Sequence, residues 1–102
     1  MSGYALSPEA DRDLDDLWDY IAEDSIDAAD RLTVRLMDSF EALARNPGMG
    51  HKREDLTNYH VLFWPVGNYL VIYRGERTPI EIVAIVYGTR DIPTFLHGRV
   101  VK

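Results

Sequence analysis

The sequence contains no cysteine, and it has no apolar run close to the length that crosses a bilayer. The first absence excludes a disulfide framework. The second excludes a membrane-spanning helix, which needs roughly 18 to 20 consecutive apolar residues. The opening residues also lack a basic segment followed by an apolar stretch, so no secretory signal is visible. These absences indicate a soluble protein with no membrane partner, and they fit a location in the cytoplasm.

Basic residues are scarce in the first half of the chain. Residues 1–44 carry twelve acidic and three basic side chains, net −9, whereas residues 45–102 carry five acidic and eight basic ones, net +3; together they give the overall net charge of −6. Nucleic-acid binding requires clustered Lys and Arg that neutralise phosphates. We therefore expect the acidic half to point away from DNA or RNA and to attract basic segments of a partner.

Two amphipathic helices are predicted in the first half. Ser7 and Pro8 indicate a helix start, as N-cap and first helical residue, and apolar residues then recur at steps of three and four over residues 8–24. Asp27 is the predicted N-cap of a second helix, which Asn-Pro-Gly at 46–48 ends. Because the connection is short, the two helices are expected to form an antiparallel hairpin. Residues 47–58 are predicted to be a loop.

The second half predicts three strands. Residues 61–64, 69–73 and 80–87 are rich in β-branched and aromatic side chains, and the short polar segments 65–68 and 75–79 separate them. An antiparallel meander follows, with one face on the helices and the other covered by a partner or left as a shallow aromatic groove. Residues 91–96 predict one helical turn, limited by Pro93. At 102 residues, the chain is expected to be a single domain, residues 1–102.

Acidic side chains alternate along the first predicted helix in the manner of a calcium loop. Such a loop needs Gly at its sixth position and Glu at its twelfth; counted from Asp11, these positions hold Asp16 and Ala22. No metal site and no cofactor are therefore predicted.

Several motifs together resemble a known family. They are LSPEA at 6–10, GMGHKREDL at 48–56, PVGNYLVIYR at 65–74, IEIV at 80–83 and YGTRDI at 87–92. In this order and spacing they resemble the toxins of the RelE/ParE superfamily of type II toxin–antitoxin systems, on the ParE-like branch. The resemblance implies a RelE/ParE-like α+β fold, in which an N-terminal strand precedes a helical hairpin packed on an antiparallel sheet.

The resemblance also implies partners. A ParD-like antitoxin is expected to wrap the toxin through an extended or helical segment and form a toxin–antitoxin hetero-oligomer. ParE-like members poison DNA gyrase, whereas RelE-like members cut messenger RNA on the ribosome. Direct nucleic-acid binding is expected only through the antitoxin complex or the ribosome.

The residues favour the non-enzymatic alternative. RNA cleavage needs an acid, a base and cations for the developing phosphate charge. Arg74 and Arg90 can supply the cations, but no Tyr or His directly follows Arg90, and His97 lies further on. If the protein is a ribonuclease, the catalytic candidates are Arg74, Arg90 and His97. The structural alternative for Arg74 is an ion pair with Glu81 or with a helix Asp.

Two sets of contact residues are predicted. Target contacts are expected from the basic loop and from the two strand-end arginines: His51, Lys52, Arg53, Arg74 and Arg90. Antitoxin contacts are expected from the aromatic surplus: Trp18, Phe63, Trp64, Tyr69 and Tyr73. His60 and Tyr87 are interpreted as packing residues.

Overall fold

The helical hairpin and the sheet follow the order that the sequence predicts. The computed structural model describes residues 3–88 and 91–99. These residues form strand β1 (Tyr4–Leu6), helices α1 (Pro8–Ala22) and α2 (Ile26–Arg45), a short 3-10 helix (Pro47–Met49), strands β2 (Leu62–Val66), β3 (Tyr69–Arg74) and β4 (Ile80–Tyr87), and helix α3 (Ile92–Arg99). The predicted α+β class is confirmed. In the described part of the chain, no helix is long and apolar enough to cross a bilayer.

Serine side chains begin both long helices. The Ser7 hydroxyl accepts a hydrogen bond from the backbone N–H of Ala10 at 3.0 Å, as predicted. The N-cap of α2 is Ser25, which accepts from the N–H of Ala28 at 3.1 Å, so the prediction of Asp27 was wrong. Asp27 lies in the first turn of α2, where its negative charge is stabilised by the helix dipole.

The four strands lie in the order β1-β4-β3-β2. The two hairpins β2–β3 and β3–β4 are antiparallel, which confirms the predicted meander. Strand β1 runs parallel to β4, with Tyr4 opposite Ile80, so the sheet is mixed rather than wholly antiparallel. A parallel pair needs a long connection between its strands, and the helices and the other two strands provide it.

The β2–β3 hairpin is tighter than predicted. Pro65 and Val66 belong to β2, and only Gly67 and Asn68 form the turn. Gly67 has a φ of 60°, and no non-glycine residue described here has a positive φ, a pattern typical of a type II′ turn. Pro65 is tolerated because β2 is an edge strand of the described sheet, where the missing N–H need not reach a neighbour.

A β-bulge in β4 changes which side chains face the helices. Tyr73 pairs with Ile82 and Ile72 with Ala84, so Val83 is an extra residue. Before the bulge, Ile80 and Ile82 pack against the helical hairpin, and after it Ile85 does so. The side-chain alternation of β4 therefore shifts by one residue at the bulge.

The second face of the sheet is covered by the chain itself. Ile92 and Leu96 of α3 pack on this face together with residues of the segment before β2, and the full set of buried members is Val61, Phe63, Ile72, Val83, Ala84, Val86, Ile92 and Leu96. The expected aromatic groove or partner-covered face is therefore absent from this part of the described sheet. Helix α3 has eight residues rather than one turn. Pro93 does not limit it, because a proline in the first turn loses no intrahelical hydrogen bond.

Candidate functional site

Two of the aromatic side chains predicted to bind a partner lie in the core. Phe63 is 2% exposed and Tyr73 is 0% exposed. The Tyr73 hydroxyl donates to the carbonyl of Pro47 at 2.7 Å and accepts from the N–H of Gly50 at 2.9 Å. Burial raises the pKa of Tyr73. Both residues are thus corrected from contact candidates to structural ones, because a fully packed side chain offers no surface to a partner.

The other aromatic candidates are partly accessible. The indole N–H of Trp18 donates to Asp30 at 2.9 Å and so joins the two long helices. Trp64 stacks on the imidazole of His51, with ring centroids 6.0 Å apart. The ring of Tyr69 meets that of Tyr87 edge to face, with centroids 5.3 Å apart.

Three tyrosines converge at the end of the sheet that carries the Gly67–Asn68 turn. Tyr69 begins β3, Tyr87 ends β4 opposite it, and Tyr20 comes from α1. Burial raises the pKa of Tyr69, and the neighbouring phenols of Tyr87 and Tyr20 raise it further. Tyr20 is 74% and Tyr87 49% exposed, so Tyr87, interpreted from the sequence as a packing residue, contacts Tyr69 and also reaches solvent. We call Tyr20, Tyr69 and Tyr87 the tyrosine cluster.

Cationic side chains collect at the opposite end of β3. Arg74 Nε lies 3.1 Å and Arg77 Nη1 2.9 Å from the same Glu81 oxygen, Oε1. The predicted ion pair between Arg74 and Glu81 is therefore present, and Arg77 is an addition that the sequence pattern did not single out. Arg74 is 15% and Arg77 54% exposed as side chains, so Arg77 is the more accessible of the two. Arg90 lies outside the described residues.

The basic loop faces this same end of the sheet. Lys52 and Arg53 line an open cleft of about 320 Å³, whose other walls include Tyr59, His60 and the Gly75–Glu76 turn after β3. The loop is held by His51, which exchanges backbone hydrogen bonds of 2.9 and 2.8 Å with Phe63. We call Lys52, Arg53, Arg74 and Arg77 the basic end.

Acidic neighbours moderate the charge of the basic end. Arg53 binds Asp55 through two hydrogen bonds of 3.0 and 2.8 Å. The guanidinium holds the pKa of Asp55 below its usual range, and both side chains are exposed to solvent. Lys52 is exposed and forms no ion pair with a described residue.

The C-terminal helix is clamped to α1 by a pair that sequence reasoning missed. Arg99 Nη1 lies 2.8 Å from Asp13 Oδ2, and both side chains are only 17% exposed. The same carboxylate accepts the backbone N–H of Ile85 at 3.1 Å, and Arg99 also donates to the carbonyl of Val83 at 3.2 Å. These bonds satisfy backbone groups of β4 beyond the point where β1 ends. His97 is exposed on α3.

No metal-binding cluster occurs among residues 3–88 and 91–99: no group of three or more His, Cys, Asp or Glu side chains is placed to hold an ion. The described surface carries an accessible aromatic cluster at one end of the sheet and an accessible cationic group at the other. This arrangement suits contacts with other macromolecules.

Comparison with known proteins identifies the family. The profile described as the ParE toxin of the type II toxin–antitoxin system parDE matches residues 4–92. The chain belongs to the ParE toxin family. It is 34% identical over 83 residues to Toxin ParE1 of Caulobacter vibrioides, a match that covers 72% of this chain and 86% of that protein. The predicted resemblance is thereby confirmed.

A solved structure supports the fold. The chromosomal ParDE toxin–antitoxin system from P. aeruginosa superposes with a TM-score of 0.69 at 18% identity, over 85% of this chain and 96% of that one. This ParE-family protein is thus the toxin of a type II toxin–antitoxin system. The match with the family covers Arg74 and Arg90 but ends before His97.

Proposed function

We propose that this toxin inhibits DNA gyrase by direct binding, without catalysing a reaction, and that a ParD-like antitoxin neutralises it in the cytoplasm. Membership of the ParE rather than the RelE branch supports the choice of target, because ParE-like toxins are the gyrase poisons of the superfamily. The structural observation that most supports this proposal concerns the side chains that a ribonuclease would need for catalysis.

One of those groups is committed to a structural contact. Arg74 is held against Glu81 at 3.1 Å, whereas His97 is exposed on α3. The sequence places no Tyr or His directly after Arg90 to act as a general base. Binding to a protein surface requires no such base.

The basic end is the proposed gyrase-contacting surface. It carries the accessible cations Lys52 and Arg77. The exposed side of α1, by contrast, is strongly acidic, so positive and negative charges are concentrated on different elements. Arg90, which follows the other end of β4 in the sequence, is a separate proposed gyrase contact that rests on the sequence pattern.

A supercoiling assay tests this proposal. Purified toxin is added to gyrase and relaxed plasmid, and the concentration for half-inhibition is measured for the wild type and for Lys52→Ala, Arg77→Ala and Arg90→Ala. We expect at least one of the three to require about tenfold more toxin, the effect of losing one interface contact worth about 1.4 kcal/mol. Arg31→Ala is the matched control, since Arg31 is an exposed cation on α2 paired with Asp27.

The second candidate function is ribosome-dependent cleavage of messenger RNA by Arg74, Arg90 and His97. The two are separated by inducing the toxin alone and measuring chromosomal breaks and message integrity in the same cells. Broken DNA with intact message supports gyrase poisoning. Cleaved message with intact DNA, abolished by His97→Ala, would replace it with the ribonuclease.

A further inference from the structure

The tyrosine cluster presents two exposed rings, Tyr20 and Tyr87, beside the partly buried Tyr69, and the proposed gyrase contact at the basic end does not use them. Tyr20 and Tyr87 are among the most exposed large apolar side chains of the described molecule. The cluster lies at the opposite end of β3 from Arg74, about 17 Å away at roughly 3.3 Å per residue. A partner bound here would therefore occupy a different surface from one bound at the basic end.

Acidic side chains flank Tyr20. Asp16 lies one turn before it on α1, and Glu23 and Asp24 lie in the turn that directly follows this helix. All three are exposed, and none forms an ion pair with a described residue. An aromatic face bordered by carboxylates attracts a cation through the ring quadrupole and the acidic field together.

We propose that the tyrosine cluster is the anchor site for an arginine or lysine side chain of the antitoxin. This inference rests on the proposed neutralisation by an antitoxin and names the chemistry by which that partner is held. Such a side chain binds the face of a Tyr ring when its charged group lies within about 6 Å of the ring centroid.

The charge of the surroundings selects this occupant over others. A nucleobase could stack on the same rings, but its phosphates would be repelled by Asp16 and Glu23. Arg35, which lies beside Gly67 at this end of the sheet, would repel a cation that approached over the β2–β3 turn. The basic side chain is therefore expected to enter from the α1 side.

A double-mutant cycle with the antitoxin encoded beside the toxin provides the test. Full-length toxin and antitoxin are mixed, and the Kd is measured by calorimetry for wild-type toxin and for Tyr20→Ala, crossed with single Ala substitutions of each antitoxin Arg and Lys. We expect Tyr20→Ala to weaken binding about tenfold, and one antitoxin substitution to add little in that background, because both remove the same contact.

Two further variants check the chemistry. Tyr20→Phe keeps the ring face and is expected to change the Kd less than about threefold. Asp16→Asn combined with Glu23→Gln is expected to reduce the salt dependence of binding, since those carboxylates attract the incoming cation. Tyr20 is 74% exposed, so its substitution is not expected to unfold the toxin, and a circular dichroism melt verifies this.

The outcomes are separable. Tight binding that is indifferent to Tyr20→Ala and shows no coupled antitoxin residue would overturn the anchor and leave neutralisation standing. A failure of gyrase inhibition would overturn the proposed target without affecting the cycle. Absence of any complex would overturn both neutralisation and the anchor. Tyr20-dependent binding of a single-stranded oligonucleotide, or Tyr20-dependent self-association in sedimentation, would assign the cluster to nucleic acid or to a second copy instead.

Discussion

Replacing Asp13 by Ala removes the carboxylate that joins α1, β4 and α3. Two interactions are lost, the ion pair with Arg99 at 2.8 Å and the hydrogen bond from the Ile85 N–H at 3.1 Å. A hydrogen bond to a charged group contributes about 1.5–3 kcal/mol, and breaking a well-shielded ion pair costs about 3–5 kcal/mol.

The expected cost lies at the lower end of that combined range. Arg99 keeps its bond to the Val83 carbonyl and its position 4.5 Å above the ring of Phe95, so it is not left without contacts. We therefore expect the free energy of unfolding to fall by about 3 kcal/mol. At about 4–8 °C per kcal/mol for a domain of this size, the Tm should fall by about 12–24 °C.

Thermal and urea unfolding followed by circular dichroism measure the effect. Asp13→Asn, which keeps an oxygen for the Ile85 N–H, should lose about 1 kcal/mol. Asp15→Ala is the control, because Asp15 is exposed on the same helix and forms no ion pair with a described residue. If Asp13→Ala melts within about 2 °C of Asp15→Ala, the clamp does not stabilise the fold and the reasoning is wrong.

Two other predictions concern buried polar contacts and helix caps. Tyr73→Phe removes the bonds to Pro47 and Gly50 and should lower the free energy of unfolding by about 1–3 kcal/mol in urea titrations at pH 7. Because burial raises the pKa of Tyr73 in the folded state, the wild type should also lose stability as the pH rises above about 10, and Tyr73→Phe should lose less; equal losses would contradict this. Ser25→Ala should cost about 1 kcal/mol by removing the N-cap of α2, whereas Asp27→Ala should cost only a few tenths, and the reverse order in melting experiments would restore Asp27 as the cap.

The sequence was most informative where local pattern decides structure. The helical stripes and the three strand runs are each determined by neighbouring residues, and they were confirmed. The family motifs were equally sound: all of them lie within residues 4–92, the stretch that matches the ParE toxin family.

Features that depend on distant residues could not be read in advance. Asp13 and Arg99 are 86 positions apart, and nothing near either residue indicates the other. The bulge at Val83 is hidden because every side chain from Ile82 to Val86 is apolar, so alternation gives no phase.

Phe63 and Tyr73 were misassigned for a related reason. An apolar strand with two buried faces looks the same in sequence whether a partner or the chain's own C-terminal helix covers its second face. Helix α3 carries only three large apolar residues on one face, Ile92, Phe95 and Leu96, and Arg99 follows on that same face, so the pattern of residues 92–99 does not indicate what the helix covers.

The parallel pairing of β1 with β4 delays completion of the sheet while the toxin is being synthesised. A ribosome produces β1 first, yet the only described strand with which β1 pairs is the last one to be made, and Ser7 meets Val83 across 76 positions of sequence. The sheet therefore closes only after β4 has been made. A nascent or prematurely ended product without residues 80–87 would lack the strand that sits between β1 and β3, and β1 would have none of the described strands to pair with. The N-terminal strand thus waits for the last strand before it can join the sheet.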